Sequence, residues 1–587
     1  MVIAVVWITP SARPLAESLA RELDAEAVQA GSDTGHTLRA LFTAGRPIVA
    51  LCASGILIRS LSTLLADKHA EPHVVAVAED GSAAVPLLGG HHGANTLARR
   101  IAEITGGVAA VTTASDLRLG VALDDPPPGY VLANPEHAKP FAARLLAGEP
   151  IRIEGSAPWL DTLTQSETAA LTITMTTHPT EGAPDHLVYH PRTFALGVGC
   201  ERGIEPAELI TLVRETLAAH HLSPKAIAGV FSLDLKSDEP AVHALATDLA
   251  VPARFFTAAR LAEESPRLVN PSDIVLRETG CPGVAEGAAL AAAGPQSRLV
   301  VEKTRGTRAT CALAQSPAPL VDLPGRPRGK LSVVGIGPGS REWLSPAAAT
   351  ALTAATDWVG YGLYLDLVAH LSAGKTEHRF PLGAEEIRVR KALALAAEGR
   401  TVALVSSGDA GIYAMGSLAC ELLDRGDLDA AAARAALDII PGISAFQAAA
   451  ARAGALIGHD FCCISLSDLL TPWAAIEQRL EAAASSDLVT ALYNPRSARR
   501  TDQLARAIAI LGAHRPPDTP VIVASNLGRP DERFRVVPFS TFDPATVDML
   551  TIVLVGSSDS RAFTRGDGST IAYTPRGYAG KHAGKHS

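Results

Sequence analysis

The sequence predicts a multidomain α/β protein. Three observations carry that expectation. Short apolar runs of strand length alternate with Ala/Leu-rich stretches of helical length almost throughout the chain. Those runs are continuous rather than alternating, as strands are when helices cover both faces of a parallel sheet. The 587 residues, 47% hydrophobic and 19% charged, are enough for several packed cores, about three to five domains at roughly 100–200 residues each.

The first α/β unit is expected over residues 1–120. Strands are predicted at Val2–Ile8, Pro47–Cys52 and Val74–Ala78, and helices at Arg13–Glu22, Ile56–Leu65 and Asn95–Ile104. The opening MVIAVVWITP has no basic region before its short apolar run, so it reads as a buried strand rather than a signal peptide. Residues 121–190 begin DDPPPGY, where consecutive prolines block regular structure, and read as an irregular middle segment. A second α/β unit spans 191–315, from the strand FALGVGC at Phe194 to the strands Leu299–Val301 and Ala309–Leu313. Residues 316–329, rich in Pro, Gly and Arg, read as a linker. The third unit covers 330–575 and starts with the strand LSVVGIG. Further strands are predicted at Val402–Val405, Ile439–Ile440, Cys462–Ser465, Leu488–Leu492, Val521–Ala524 and Thr551–Val555. Residues 576–587 read as a flexible tail.

Composition excludes some functions. A net charge of −9 lacks the basic field of a nucleic-acid binder. No apolar run reaches membrane-span length, so a soluble, cytoplasmic protein is expected. Seven scattered cysteines with no CxxC pair argue for a reducing compartment and against a disulfide frame, and no metal site is expected. The vicinal Cys462 and Cys463 lie in an apolar strand pattern and read as small core residues.

Four strand-to-helix turns carry the chemistry of the third unit. The first is VVGIGPGSREWLSP (333–346). It lacks the Lys of a phosphate-binding P-loop and the GxGxxG spacing of a dinucleotide turn, and alone it is equally a tight turn. The second is VALVSSGDAGIYAMGS (402–417), which puts Asp409 at the carboxyl end of a strand, where ligands of open α/β sheets sit. Asp409 reads equally as a helix cap. The third and fourth are IIPGISAFQAAAARAG (439–454) and LVTALYNPRSARRTDQL (488–504). Four related turns at four strand ends are improbable as an accident. Arg496, Arg499 and Arg500 follow the last one. They suit bidentate capture of carboxylates, or they are simply a solvated face.

These segments resemble the tetrapyrrole methyltransferase family, and within it the precorrin-3B C(17)-methyltransferases of cobalamin biosynthesis. The resemblance covers about residues 330–575. It rests on GIGPGS, SSGDAGIYAM, PGISAFQAAAARAGALIGHDFCCISLSDLLTPW and YNPRSARRTDQL. Many relatives carry Asp after GPG where this chain has Ser340. The resemblance implies a two-lobed fold with a cleft that binds S-adenosyl-L-methionine and leaves S-adenosyl-L-homocysteine. It assigns cofactor binding to Pro338, Gly408, Asp409, Ala410, Gly411, Ile412, Tyr413, Met415, Ser444, Ala445, Tyr493, Asn494 and Asn526. Gly337, Gly339, Arg496, Arg499 and Arg500 fall on the substrate side. It also implies ring contraction of precorrin-3B to precorrin-4 and a homodimer through this domain. Such chemistry needs in-line positioning more than a nucleophilic side chain, and positioning can supply about 7–11 kcal/mol. No covalent enzyme intermediate is expected.

In the first half, AVAEDGSAAVPLLGGHHGANTL (76–97) joins an acid pair to a Gly-Gly-His-His-Gly turn that opens a helix. His91 and His92 are adjacent and point different ways, which disfavours a shared metal. With GVGCERG, FSLDLKSDE and GCPGVAEGAAL, this segment resembles the cobalt-precorrin-5A hydrolase family over about residues 1–315. That family opens a lactone on the corrin precursor and releases acetaldehyde. The resemblance makes Glu79, Asp80, His91, Asn95, Lys236 and Glu239 candidates for catalysis. Lys236 and Glu239 also have an ordinary ion-pair reading. The expected function is therefore a bifunctional corrin-pathway enzyme. One alternative is an active methyltransferase with a non-catalytic precursor-binding first half. Another, a nucleotide-sensing α/β protein, is weakened by the missing P-loop lysine.

Overall fold

The computed structural model describes all residues except 1–2, 32, 66–70, 113–120, 373, 498–499 and 579–587, together with the side chains of 91–92. The chain forms two compact units. One is Met1–Lys330 with Leu393–Thr401 and Leu428–Ala436; the other is Leu331–Ala392, Val402–Asp427 and Leu437–Ser587.

The first unit opens with β1 (Ala4–Trp7), β2 (Glu26–Gln29), β3 (Ile48–Leu51), β4 (Val74–Val77), β5 (Ala83–Leu88) and β6 (Val108–Ala109). They pair in the order β2-β1-β3-β4-β5-β6, parallel except between β4 and β5. Both faces are covered. Val5 and Trp7 pack with Leu19 and Ile101 of helices Arg13–Glu22 and Asn95–Thr105. Ala4 and Val6 face the opposite way, against Leu38 and Phe42 of helix Thr34–Thr43. The period-two alternation of a strand buried on both sides explains why these runs are apolar at every position.

Residues 121–190 differ from the irregular segment expected. They hold β7 (Tyr130–Leu132), β8 (Ile151–Glu154), β9 (Leu171–Met175) and β10 (His186–Pro191), a sheet of order β7-β10-β9-β8. Its core includes Phe141 of helix Ala138–Leu146, Leu160 and Tyr189. The prolines lie before β7, and the strands are short and partly polar, which hid them in the sequence.

The third sheet comprises β11 (Phe194–Cys200), β12 (Ile227–Leu233), β13 (Ala253–Phe256), β14 (Arg298–Arg305) and β15 (Ala309–Gln315) in the order β13-β12-β11-β15-β14. β11, β12 and β13 are parallel, while β15 runs antiparallel to β11 and pairs Ala309 with Cys200. Helix Val284–Ala293 is buried from Ala285 to its end.

The second unit holds two five-stranded sheets. The first contains β16 (Lys330–Gly335), β17 (Asp357–Tyr361), β18 (Thr376–Phe380), β19 (Thr401–Ser406) and β20 (Ala436–Ile440), in the order β18-β17-β19-β16-β20. After a two-residue strand β21 (Gly454–Ala455) come β22 (Phe461–Ser465), β23 (Val489–Tyr493), β24 (Pro520–Ser525), β25 (Arg533–Pro538) and β26 (Thr551–Val555). Their order is β22-β23-β26-β24-β25, mostly antiparallel. A terminal hairpin, β27 (Arg561–Thr564) and β28 (Thr570–Tyr573), pairs with β21. Among the described residues no helix is long and apolar enough to cross a membrane. The expected tail 576–587 lies largely outside the described residues.

Candidate functional site

The site of the second unit is built where backbone touches backbone. The turn after β16 meets the turn after β19: Gly408 N–H donates to the Gly337 carbonyl at 2.8 Å, and Gly337 N–H donates to the Gly408 carbonyl at 3.1 Å. A third turn, 441–444, packs against both. A Cβ on Gly442 would lie 2.2 Å from the Gly408 oxygen, and one on Gly335 would lie 2.8 Å from Gly442 N. Only glycine fits such an approach. Asp409 ties the junction together. One carboxylate oxygen accepts the Gly411 N–H at 2.8 Å and the other accepts the Gly442 N–H at 3.1 Å. The carboxylate therefore fixes the turn and does not cap the following helix.

Beside this junction lies a cavity of about 380 Å³, within the range of about 300–1,000 Å³ typical of small-molecule sites. Pro338, Gly408, Asp409, Ile412, Tyr413, Met415, Ser444, Ala445, Tyr493, Asn494 and Asn526 all line it. Ala410 and Gly411 do not. Ala410 is fully buried, its carbonyl accepting the Gly416 N–H, and Gly411 faces outward. Tyr413, Asn494 and Asn526 adopt left-handed backbone conformations with φ of 50°, 50° and 53°. Strain of this kind, about 1–3 kcal/mol each, persists where the surroundings over-determine it. Here the Tyr413 hydroxyl donates to the Cys463 carbonyl at 2.9 Å, its ring sits 5.2 Å from Tyr493, and Asn494 Nδ2 donates to Ser465 Oγ at 3.0 Å.

Ser444 begins helix Ala445–Ala453 in a capping box with Gln447, which aims the helix start at the cavity. Burial raises the Tyr493 phenol to about 12 and the Cys463 thiol to about 11, so both stay protonated near neutrality. Cys462 is raised in the same way. Burial thus disfavours the thiolate form of both cysteines.

Part of the lining was not anticipated from the sequence. Tyr364, Glu385, Arg388 and Arg529 belong to it, and Arg529 Nε donates to the Pro338 carbonyl at 3.3 Å. Arg388 is 2% exposed. One of its nitrogens donates to the Pro381 carbonyl at 3.0 Å, and its Nε has no hydrogen-bond partner among the described residues. Ser406 Oγ, also in the lining, is buried and equally without a partner. Both groups keep hydrogen-bonding capacity that no described residue uses. The cavity thus combines the aromatic rings of Tyr413 and Tyr493 and the Asp409-organised turns with the cations Arg388 and Arg529 and the carboxylate Glu385.

Several expected substrate residues lie elsewhere. Arg496 donates to the Ala545 carbonyl at 2.7 Å. Arg500 donates to the Asn494 carbonyl at 3.2 Å and to Ser467 Oγ at 3.1 Å. Both guanidinium groups bind loop atoms, outside the cavity lining. Arg499 lies outside the described residues. Gly337 and Gly339 also miss the lining. A Cβ on either would strike Trp343 O at 2.9 Å or Leu527 O at 2.9 Å, so their role is close packing. The arginines that reach the cavity, Arg388 and Arg529, stand in unremarkable helical and loop sequence. Only the fold brings them to it.

In the first half the candidates fall on two sheets. Glu79 accepts the Thr9 hydroxyl at 2.9 Å and the Ser11 hydroxyl at 3.4 Å. Asp80 accepts Ser82 N–H and Oγ, which holds its carboxyl below the usual range. His91 lies in the turn Gly90–Ala94, its side chain outside the described residues; Asn95 starts the next helix and is 2% exposed. On the third sheet, Lys236 stands 3.9 Å from Glu239. Glu239 is fully buried and accepts the Gly203 N–H with both oxygens at 3.2 Å. The three carboxylates are engaged in holding turns.

Residues 330–543 match the family described as Tetrapyrrole (Corrin/Porphyrin) Methylases. Residues 194–314 match Cobalamin synthesis G C-terminus, and residues 36–116 match Cobalamin synthesis G N-terminal. A precorrin-3B C(17)-methyltransferase of Sinorhizobium sp is 43% identical over 252 residues, which are 43% of this chain and 98% of that relative. A probable cobalt-factor III C(17)-methyltransferase of Salmonella typhimurium is 44% identical over 248 residues, 42% of this chain and 99% of the relative. The crystal structure of the methyltransferase CobJ shares 40% identity over 42% of this chain and all of that one, with a TM-score of 0.39.

Proposed function

We propose, since this chain belongs to the tetrapyrrole (corrin/porphyrin) methylase family, that its second half methylates C(17) of a precorrin-3B-type macrocycle in cobalamin biosynthesis, with ring contraction, using S-adenosylmethionine. The lining of the cavity carries this reading: the Asp409-organised turns and the buried Ser406 hydroxyl share it with the guanidinium groups of Arg388 and Arg529. Bound S-adenosylmethionine supplies an electrophilic methyl group. The chain's part is positional. Asp409 holds two turns in register, Tyr413 and Tyr493 wall the pocket, and the two arginines orient carboxylate arms of the acceptor. The reaction is placed in the cytoplasm, in keeping with seven free cysteines, and a homodimer through residues 330–575 is part of the same proposal. For the first half, the reading is lactone opening on a precorrin-5A-type intermediate with release of acetaldehyde. The engagement of Glu79, Asp80 and Glu239 as turn ligands favours a precursor-binding role for it as the second reading.

Titration of S-adenosylhomocysteine into the intact chain tests the cofactor site. One-to-one micromolar binding is expected, and Asp409→Ala weakens it by roughly 10–100-fold, about 1.4–2.8 kcal/mol, because the Gly411 and Gly442 N–H groups lose the charged acceptor that holds the two turns together. Affinity unchanged in Asp409→Ala rules out this pocket as the cofactor site.

The acceptor side has its own test. Arg529→Ala raises KM for the tetrapyrrole by about tenfold, the value of one charged hydrogen bond of roughly 1.5 kcal/mol. Equal KM values for the two proteins refute the assignment of Arg529.

A further inference from the structure

A cavity of about 430 Å³ lies where residues 324–329 run beside β13, within the range of about 300–1,000 Å³ typical of small-molecule sites. Every residue that lines it falls in the first compact unit. Its Pro- and Gly-rich wall is held by backbone contacts. Arg326 and Phe255 exchange N–H to carbonyl hydrogen bonds, each of 2.8 Å, and the Gly329 carbonyl accepts the Ala436 N–H at 2.8 Å. A Cβ on Gly329 would stand 1.8 Å from the Ala396 carbonyl oxygen, an approach that only glycine allows. The arginines of this segment therefore project from a fixed backbone.

Arg260, Arg326, Arg328 and Arg434 line the cavity, and Asp234 is the one carboxylate among the described residues that do so. Arg260 is neutralised: it donates to Glu264 at 2.8 Å and stands 3.2 Å from Glu263. The other three are not. Arg434 Nε is buried without a hydrogen-bond partner among the described residues. Arg328 Nε donates to the Arg434 carbonyl at 2.9 Å, which ties the two residues together and leaves the rest of the Arg328 guanidinium group for another partner. Arg326 is exposed, with no ion-pair partner among the described residues. Unneutralised positive charge in a concave site calls for an anion. The planar fork of arginine suits the oxygens of a tetrahedral oxyanion, which it can take in pairs.

Asp234 narrows the choice. Burial raises its carboxyl, and the opposing pull of Arg434, the Leu235 N–H and Arg326 does not cancel the rise. Its charge is thus incompletely satisfied. An ionised carboxylate only accepts hydrogen bonds, so an anion beside it must bring a proton donor. Sulfate has none and would set its own oxygen against the carboxylate. Hydrogen phosphate carries a P–O–H group, and a hydroxylated phosphate ester carries alcohol groups. Beyond the arginines the lining is Pro324, Pro327 and the alanines Ala396, Ala397, Ala431 and Ala435, which leaves apolar room for the carbon part of such an ester.

We propose that this cavity binds a phosphate group that brings a hydroxyl donor with it, the oxyanion held by Arg326, Arg328 and Arg434 and the hydroxyl accepted by Asp234. The site is separate from the methyl-transfer cavity and does not depend on the methyltransferase reading.

Orthophosphate, glycerol 3-phosphate and sulfate, titrated calorimetrically into the intact chain near neutral pH, are the probes. The expected result is one phosphate group bound per chain, with sulfate weaker by at least about tenfold, the value of one hydrogen bond to a charged group. The tighter of orthophosphate and glycerol 3-phosphate identifies free phosphate or an ester as the ligand. Arg326→Glu reverses an exposed charge and weakens both by at least about tenfold. Asp234→Asn gives a gain that misfolding cannot produce. Its amide can donate to sulfate, which then binds within about threefold of orthophosphate. Absence of phosphate binding in the wild type overturns the proposal. So does wild-type sulfate affinity equal to that of orthophosphate, phosphate affinity unchanged in Arg326→Glu, or sulfate still rejected by Asp234→Asn.

Discussion

Replacing Gly442 by Ala is expected to weaken S-adenosylhomocysteine binding by at least about 100-fold, close to 2.7 kcal/mol. The cause is steric. The new Cβ would stand 2.2 Å from the Gly408 carbonyl oxygen and 2.5 Å from the Gly335 carbonyl oxygen. Neither is the far end of a flexible side chain, so a backbone segment must move. Movement of the 441–444 turn also draws the Gly442 N–H away from Asp409, and Asp409 in turn holds the 409–411 loop. Overpacking of this kind costs roughly 1–3 kcal/mol in stability, so thermal unfolding of the second unit shifts downward as well. Gly411→Ala is the control. Its Cβ would meet only the Asp409 carboxylate, at 3.3 Å, and its φ is not left-handed. Calorimetric titration of both variants checks the argument. A Gly442→Ala protein that binds within about fivefold of wild type would show that the three turns are not the cofactor platform.

The second large effect is at Glu286, in the buried helix Val284–Ala293. This carboxylate is 1% exposed. It accepts N–H groups from Val269 at 2.9 Å, Asn270 at 3.0 Å and Lys303 at 3.0 Å, and the Asn270 side-chain amide at 2.9 Å. It thereby pins the loop that enters helix Asp273–Thr279 to β14. Glu286→Ala strands those donors and is expected to cost about 3–5 kcal/mol, as removal of one partner from a buried charged network does. Hydrogen exchange at Val269, Asn270 and Lys303 is the local readout, since a chain of several domains has no single unfolding free energy. Unchanged protection in Glu286→Ala would refute the network's role.

The pH dependence of this contribution has a definite sign. Burial alone would raise the Glu286 pKa, but the donors favour the ionised form and together hold it below its ordinary value. A depressed carboxyl stabilises the fold above the unfolded pKa of about 4.3 and loses that contribution as pH falls through the folded value. Protection at the three amides therefore declines on acidification below about pH 4.3 in the wild type. In Glu286→Gln it starts lower and stays flat through that range.

What the sequence determined by itself was whatever is written locally. Buried parallel strands announce themselves as unbroken apolar runs, and helix Arg13–Glu22 was legible to its ends because its apolar spacing is strong. The turns around Gly408, Ser444 and Asn494 were legible because strand, glycine or asparagine, and helix follow one another within a few residues. The strands β2 and β7–β10 were not, since short half-polar strands take their stability from neighbours distant in sequence. Only the tertiary structure decided which charges face a ligand. Arg496 and Arg500 look like a carboxylate clamp in the sequence and serve loop carbonyls in the fold. Arg388 and Arg529, 141 positions apart in the chain, line one cavity, and Glu239 and Glu286 turn out to be buried anchors. A side chain's hydrogen-bond partners depend on which backbone atoms the fold brings within about 3 Å, and one-dimensional spacing does not encode that.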